Sequence, residues 1–210
     1  MNAPDGQRLP REFFQRDPVT VAGELIGKTL SRRLADGTIL RGRIVEVEAY
    51  LGIPDRAAHT FGGRRTPRNE SMYLNGGHAY VYFTYGMHHC FNVVTDSADV
   101  PTACLIRALE PIAGIERMKD HRSQKIQRNR LKAYDWCSGP AKVCQAMAID
   151  RDLDGVDMTT HGCLGIETAE SKTEVKITIA KRIGITYAKE WADKPLRFLE
   201  TDNRHVSVRP

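Results

Sequence analysis

Two glutamates separated by one residue, Glu46 and Glu48, stand in the run Ile44-Val45-Glu46-Val47-Glu48-Ala49-Tyr50. A carboxylate beside an aromatic ring is a candidate general base or charge stabiliser. In an extended strand the two-residue period puts Ile44, Glu46, Glu48 and Tyr50 on one side and Val45 and Val47 on the other. The same pattern describes two glutamates facing solvent, the commoner outcome on pattern alone. The next loop, from His59 to Asn69, combines two glycines, a proline and three arginines. It suits the close approach of backbone and guanidinium groups to phosphate, or plain solvation. Tyr80, Tyr82, Phe83, Tyr85 and Phe91 then place five of the chain's fifteen aromatic residues within twelve positions, beside His88, His89 and Asn92. Such a cluster is ordinarily core, but Tyr85 precedes Gly86 at an expected hairpin tip, where a ring is hard to bury and easy to insert into a partner. His88 and His89 are strand neighbours on opposite faces and do not readily share one ion.

The elements that carry these residues read as a mixed α+β order. Asp17-Pro18, followed by Val19, Ala22, Leu25, Ile26 and Gly27, predicts a short helix with an N-cap, a first-turn proline and a terminal glycine. Residues 30–34 and 38–48 flank Ala35-Asp36-Gly37 and predict a hairpin whose second arm holds both glutamates. Strands are expected at 80–85, 90–94 and 103–109. Pro111 is expected to open a helix carrying Ile112, Ile115 and Met118, and Ser138 to cap another carrying Val143, Ala146 and Met147. Late strands are expected at 175–179 and 198–208, so helices follow strands without a regular βαβ alternation.

At 210 residues with 41% hydrophobic and 27% charged residues, the chain can bury one sizeable core. It shows no internal repeat, low-complexity tract or dividing linker, and a single domain over residues 1–210 is expected, its first eight residues flexible. No apolar run reaches the ~18 residues of a membrane span, and the amino-terminal residues lack a secretory apolar core, so a cytoplasmic protein is expected. Five cysteines without a Cys-x-x-Cys pair argue against a disulfide framework and a cysteine-rich zinc site. The net charge of +5 is uneven. Residues 116–132 hold seven bases against two acids, and residues 150–174 hold seven acids against two bases. The basic run is a candidate phosphate-binding face, though charge runs are more often solvated.

Six segments, RGRIVEVEAYLG, AAHTFGGRRTPRN, YVYFTYGMHHCFNVV, LIRALEP, CSGPAKVCQAM and EWADKPLRF, run in this order from residue 41 to 198, preceded by REFF and LIGKTL. Together they resemble the alkyladenine (3-methyladenine) DNA glycosylase family. The resemblance implies an α+β domain with a curved antiparallel β-sheet and peripheral helices. It implies hydrolysis of the N-glycosidic bond of a damaged purine in double-stranded DNA, by a monomer that needs no cofactor or metal and does not cut the strand. Glu48 matches the family's general base, and Arg107 its partner at the attacking water, with a backbone carbonyl near Ile183 completing the water site. Glu46 is then the decoy. Tyr50 on one side and His59 with Tyr82 on the other would sandwich the extruded base, and the His59 amide would read the purine 6-position. Asn92 would obstruct the 2-amino group of guanine, and Tyr85 would wedge into the duplex. Thr66, Arg68 and Met72 match the DNA-contacting loop, to which Glu70 adds negative charge. The acidic stretch is poorly matched and is expected as a surface loop away from DNA.

On this reading Glu48 must lie at the aromatic cleft and open to solvent. Two other readings remain: a damage-recognition protein that binds without catalysis, and a metal-dependent hydrolase built from Glu46, Glu48, His59, His78 or His88.

Overall fold

A computed structural model of the chain describes residues 6–84, 86–123, 132–169 and 175–209. Two helices open it, α1 (Arg11–Phe14) and α2 (Pro18–Leu25). Asp17 caps α2, accepting from the amides of Val19 at 2.9 Å and Thr20 at 3.3 Å, with Pro18 in the first turn as expected. The hairpin of β1 (Thr29–Arg33) and β2 (Ile39–Tyr50) follows, turning where Gly37 takes φ 83°. Next come β3 (Ala79–Thr84), β4 (His88–Thr95) and β5 (Thr102–Ala113), then α3 (Ile115–Ser123), α4 (Pro140–Met147), β6 (Leu164–Glu167), β7 (Ile177–Ala180) and β8 (Arg197–Glu200).

The eight strands form one antiparallel sheet in the order β3-β4-β5-β2-β1-β6, with β8 pairing both β2 and β7. The fold is therefore α+β, with the sheet left open. The long β2 organises it. One edge pairs with β5 along its length; the other pairs first with β1, through Arg43, and then with β8, from Glu46. The helices α2 and α4 pack on β2, β4 and β5 over a core that includes Phe14, Leu25, Ile44, Phe91, Ile106 and Met147. Each such side chain, fully buried, is worth about 1.5–3 kcal/mol.

Where β2 changes partner, its ladder with β5 slips twice. Ile44 pairs Leu109 but Glu46 pairs Ala108, leaving Val45 as the extra residue on β2; Glu46 pairs Ala108 but Val47 pairs Ile106, leaving Arg107 extra on β5. Bulges re-aim side chains, and this pair corrects the simple alternation. Ile44 joins Val47 and Ala49 in the main core, whereas Val45 packs with Ala108, Leu199 and Val206.

Three other expectations are corrected. Pro111 does not open a helix: β5 runs on to Ala113 because β2 offers a partner, Gly42 opposite Pro111, and Gly114 at φ 71° ends the strand one residue before α3. Ser138 does not cap α4; Gly139 occupies that position, and the Ser138 hydroxyl instead accepts from Lys142 Nζ at 3.3 Å. The last strand stops at Glu200, where the chain turns with the Asn203 amide donating back to the Glu200 carbonyl, and the tail then reaches Glu46 through the Ser207 amide at 2.6 Å. The acidic stretch, where described, is tied into the fold. Asp154 accepts from the Val81 amide at 2.8 Å, Asp157 pairs with Arg11, and Glu167 pairs with buried Arg41 at 3.2 Å. Residues 170–174 lie outside the described residues. At the amino terminus, the Thr168 amide donates to the Gln7 carbonyl at 2.8 Å, and Arg8 donates to the carbonyls of Met158 and Leu164. Among the described residues no helix is long and apolar enough to cross a membrane.

Gly52, just after β2, takes φ 72°, and a Cβ there would lie 2.7 Å from the Pro101 carbonyl oxygen. Gly52→Ala therefore adds left-handed strain to a backbone clash. It should lower stability by more than about 1 kcal/mol, read as a shifted midpoint in urea at unchanged m-value.

Candidate active site

The end of β2, the loop from Leu51 to Tyr73, β3 to β5 and the turn 182–187 surround a cleft of ≈ 220 Å3. Tyr50, His59, Tyr82, Asn92 and Arg107 all line it, together with Met72, Tyr80, Pro140, Ile183 and Tyr187. Five residues expected at one site from separate segments are thus gathered around one space, small enough to suit a single planar ligand.

Glu48 lies directly behind this wall. Its Oε1 accepts from the Ile183 amide at 2.7 Å and lies 3.3 Å from Arg107 Nη1, and its Oε2 accepts from the Tyr50 hydroxyl at 2.9 Å. All three partners line the cleft. Glu48 itself has no exposed surface and is not part of the lining, which corrects the expectation that its carboxylate is open to solvent. The turn at Ile183 brings its amide to the carboxylate. Burial pushes the Glu48 carboxyl above its ordinary pKa. Arg107, the Ile183 amide and the Tyr50 hydroxyl act against that, while Glu46 adds to it. Burial opposes the Arg107 charge, but Glu48 and Glu46 together hold its pKa above the usual value.

Glu46 is equally buried, so the solvent-facing reading fails for both glutamates. It accepts from Arg107 Nε at 3.1 Å, Arg197 Nη1 at 2.9 Å, the Ser207 amide at 2.6 Å and the Ser207 hydroxyl at 3.0 Å.

The aromatic walls are braced from outside the cleft. The Arg182 guanidinium lies 4.6 Å from the centre of the Tyr50 ring and grips Asp55 through two bonds of 2.6 and 2.9 Å, both side chains fully buried. Asp55 also accepts from the amides of Leu51 and Ala57, shaping the loop that leads to His59. On the other side His59 meets Tyr82 edge to face at 4.6 Å between ring centres, and its Nδ1 lies 2.7 Å from the Tyr80 hydroxyl. Partial burial, then the charges of Arg68 and Arg64, pull the His59 pKa down to about 4. The Asn92 amide donates to the Tyr80 carbonyl at 3.1 Å across the β3–β4 pair.

Asp55, Asn69, Arg182 and Tyr187 were missed by sequence reasoning. Asn69 donates to the carbonyls of His59 and Arg64 and accepts from the Thr66 amide and hydroxyl. The Thr-Pro-Arg-Asn run was its one signal, since asparagine in a proline turn commonly bonds local backbone. Asp55 and Arg182 lie 127 residues apart and left no such signal.

Of the expected DNA-contacting loop, Arg68 is exposed and donates to the Phe83 carbonyl at 2.9 Å, and Thr66 is half-buried. Met72, at 2% exposure, belongs to the cleft wall and not to the loop surface. Glu70 is paired with Arg65 at 2.6 Å, so its charge is compensated locally. Tyr85 and residues 124–131 of the basic run lie outside the described residues. Among those described, no three His, Cys, Asp or Glu side chains are grouped so as to hold a metal ion.

Residues 12–204 match the family model described as methylpurine-DNA glycosylase. The chain is 47% identical over 207 residues to the mouse protein named DNA-3-methyladenine glycosylase, covering 96% of this chain and 61% of the relative. It is 46% identical to the human protein of that name, covering 68% of the relative. Against the Desulfitobacterium hafniense protein named putative 3-methyladenine DNA glycosylase, identity is 46% over 97% of this chain and 100% of the relative.

With its pKa near 4, His59 should stay neutral through the neutral range, seen as an imidazole NMR resonance that does not titrate between about pH 5 and 8. The unfolded chain takes up that proton near pH 6.5, so this group's linkage lowers stability as pH falls from there toward 4. Asp55→Asn leaves Arg182 a buried unpaired charge and should cost about 3–5 kcal/mol in denaturant unfolding.

Proposed function

The chain belongs to the methylpurine-DNA glycosylase family, and on that premise we propose that it removes damaged purines from double-stranded DNA by hydrolysing the N-glycosidic bond, with Glu48 as general base. One observation carries the catalytic part. A single buried carboxylate is held by three groups that all belong to the wall of an aromatic cleft.

The bond to be cut is inaccessible inside a stacked duplex, so the nucleotide must be rotated out, at a few kcal/mol that lesions reduce by pairing and stacking poorly. Stacking on the rings of Tyr50, His59 and Tyr82 is worth roughly 1–3 kcal/mol per base and offsets that cost. Every base has a π-face, so selectivity must come from the edges. In the proposal the His59 amide donates to the purine 6-position, favouring hypoxanthine and ethenoadenine over adenine, and Asn92 blocks the 2-amino group of guanine. Tyr85 fills the gap left in the duplex, and Arg68 and Thr66 contact the strand from their loop.

Departure of the base leaves positive character on the sugar, which an anionic Glu48 stabilises while it takes a proton from the attacking water. That step carries a structural requirement. Each carboxylate oxygen can accept two hydrogen bonds, so Oε2 keeps room for a water beside the Tyr50 hydroxyl. Solvent reaches it only when entry of the nucleotide opens the Tyr50 contact. In the proposal the bond is hydrolysed without an imine intermediate and hence without strand cleavage.

Glu48→Gln should slow single-turnover excision at least about 100-fold, measured as alkali-labile sites in a duplex with one damaged purine, while lesion binding stays within a few-fold. Unchanged excision would remove the assignment, and undetectable excision by the wild-type chain would favour a recognition protein without catalysis. The base must be ionised and its pKa is raised, so the rate should fall on acidification with a midpoint above the ordinary 4.5. Asn92→Ser should admit guanine from mispairs; if guanine excision stays undetectable, the barrier to the 2-amino group lies elsewhere.

A further inference from the structure

We infer that Glu46 is a positioning residue for this site, fixing Arg107 and the Ile183 turn on Glu48 through a buried network that the carboxy-terminal segment closes. The inference rests on the reading of Glu48 as base.

Glu46 has no exposed surface and does not line the cleft, so it meets neither substrate nor water there. Its four recorded bonds come from Arg107, Arg197 and the amide and hydroxyl of Ser207. Three of these bonds converge on Oε1 and the Ser207 amide takes Oε2, so the carboxylate is held among two guanidinium groups and the tail, away from the cleft. What it can do is orient. By engaging Nε of Arg107 it fixes one edge of the guanidinium, and the Ser207 hydroxyl accepts from Nη2 at 3.3 Å. Nη1 is left toward Glu48, at 3.3 Å.

The second arm runs through Arg197. Its Nη1 bonds Glu46 and the Val208 carbonyl, and its Nε donates to the Lys181 carbonyl at 2.8 Å. Lys181 stands two residues before Ile183, whose amide holds Glu48 Oε1. Glu46 is therefore the junction between both groups that engage Oε1, and Ser207 and Val208 cover it from the tail.

Charge explains why a second carboxylate is needed. Buried together, Glu48 and Arg107 alone would form a tight pair, with the guanidinium free to turn two donors onto the base and occupy the lone pairs that must receive a proton. Glu46 holds that edge of Arg107 away, and Arg197 balances the added negative charge. Other titratable groups facing the pair are Tyr50 on β2, Tyr82 on β3, Cys90 on β4 and, behind Tyr50, Arg182 of the turn.

The test compares wild type, Glu46→Gln, Ser207→Ala and Glu48→Gln in single-turnover excision of one hypoxanthine from a duplex, across acid to neutral pH, with lesion affinity measured separately. Glu46→Gln keeps shape and removes charge. It should lower the rate constant at least about tenfold, leave affinity within about threefold, and move the acid limb to lower pH, because Glu48 loses an anionic neighbour and gains a freer guanidinium. A wild-type rate and limb overturn the inference, as does a rate loss with an unmoved limb, which marks a merely structural role. Where Glu46→Gln does not fold, Ser207→Ala carries the test: a rate loss of about threefold or more at unchanged affinity supports the inference, and a wild-type rate overturns it. Full activity in Glu48→Gln sinks the general-base reading instead, so the two failures are distinguishable.

Discussion

Two carboxylates buried in a protein interior must be compensated where they stand, and much of this fold around the site can be understood as meeting that requirement. Glu46 and Glu48 share the interior with Arg107 and Arg197, two negative charges against two positive. Burial of any one alone would cost several kcal/mol, so the four are coupled: removing one leaves another stranded. They come from three strands, Arg107 on β5, Arg197 on β8 and both glutamates on β2. The pair of bulges is what lets them meet. By leaving Val45 and Arg107 as extra residues, it turns Arg107 toward both glutamates just where β2 gives up β1 for β8.

The cleft is built outward from this cluster. Tyr50 ends the strand that carries the glutamates, bonds Glu48 through its hydroxyl, and is backed by the Arg182–Asp55 pair. The same arginine lies next to Ile183, so the turn that holds the carboxylate and the support behind the ring are one piece of chain. Opposite, the rings of His59, Tyr80 and Tyr82 are locked edge to face and by hydrogen bonding, and Asn69 fixes the loop that delivers His59 to the two β3 tyrosines. A site held this firmly on both sides needs little ordering when a flat ligand enters. In the free protein the carboxylate is closed off by the same ring, Tyr50, whose hydroxyl it accepts from.

Much of this was legible in the chain. The hairpin around Gly37, the capped α2 and the three central strands follow from turn chemistry, capping and β-propensity, all local effects. The family resemblance brought Tyr50, His59, Tyr82, Asn92 and Arg107 to one place, and the fold gathers them around one cleft. What strict alternation missed was non-local. It set Ile44 beside the glutamates because a bulge arises from the pairing of two distant strands and leaves no mark in the period of one. It opened a helix at Pro111 because nothing nearby reveals that Gly42 awaits as a strand partner. Asp55 with Arg182, and Glu46 with Ser207, are joined over 127 and 161 residues, and such pairs carry no spacing rule. Glu46, two residues from Glu48, shares Arg107 with it, a link that the strand's period alone does not reveal.

In the proposed reaction, entry of a nucleotide opens Glu48 to one water. A crystal structure with a duplex carrying a non-hydrolysable analogue of a damaged purine nucleotide tests it most directly. The expected result is the Tyr50–Glu48 contact opened and a single water hydrogen-bonded to the Glu48 carboxylate and in contact with the sugar carbon that bears the base. An occupied cleft with Glu48 still sealed behind Tyr50 and Ile183, and no water between carboxylate and sugar, would contradict it.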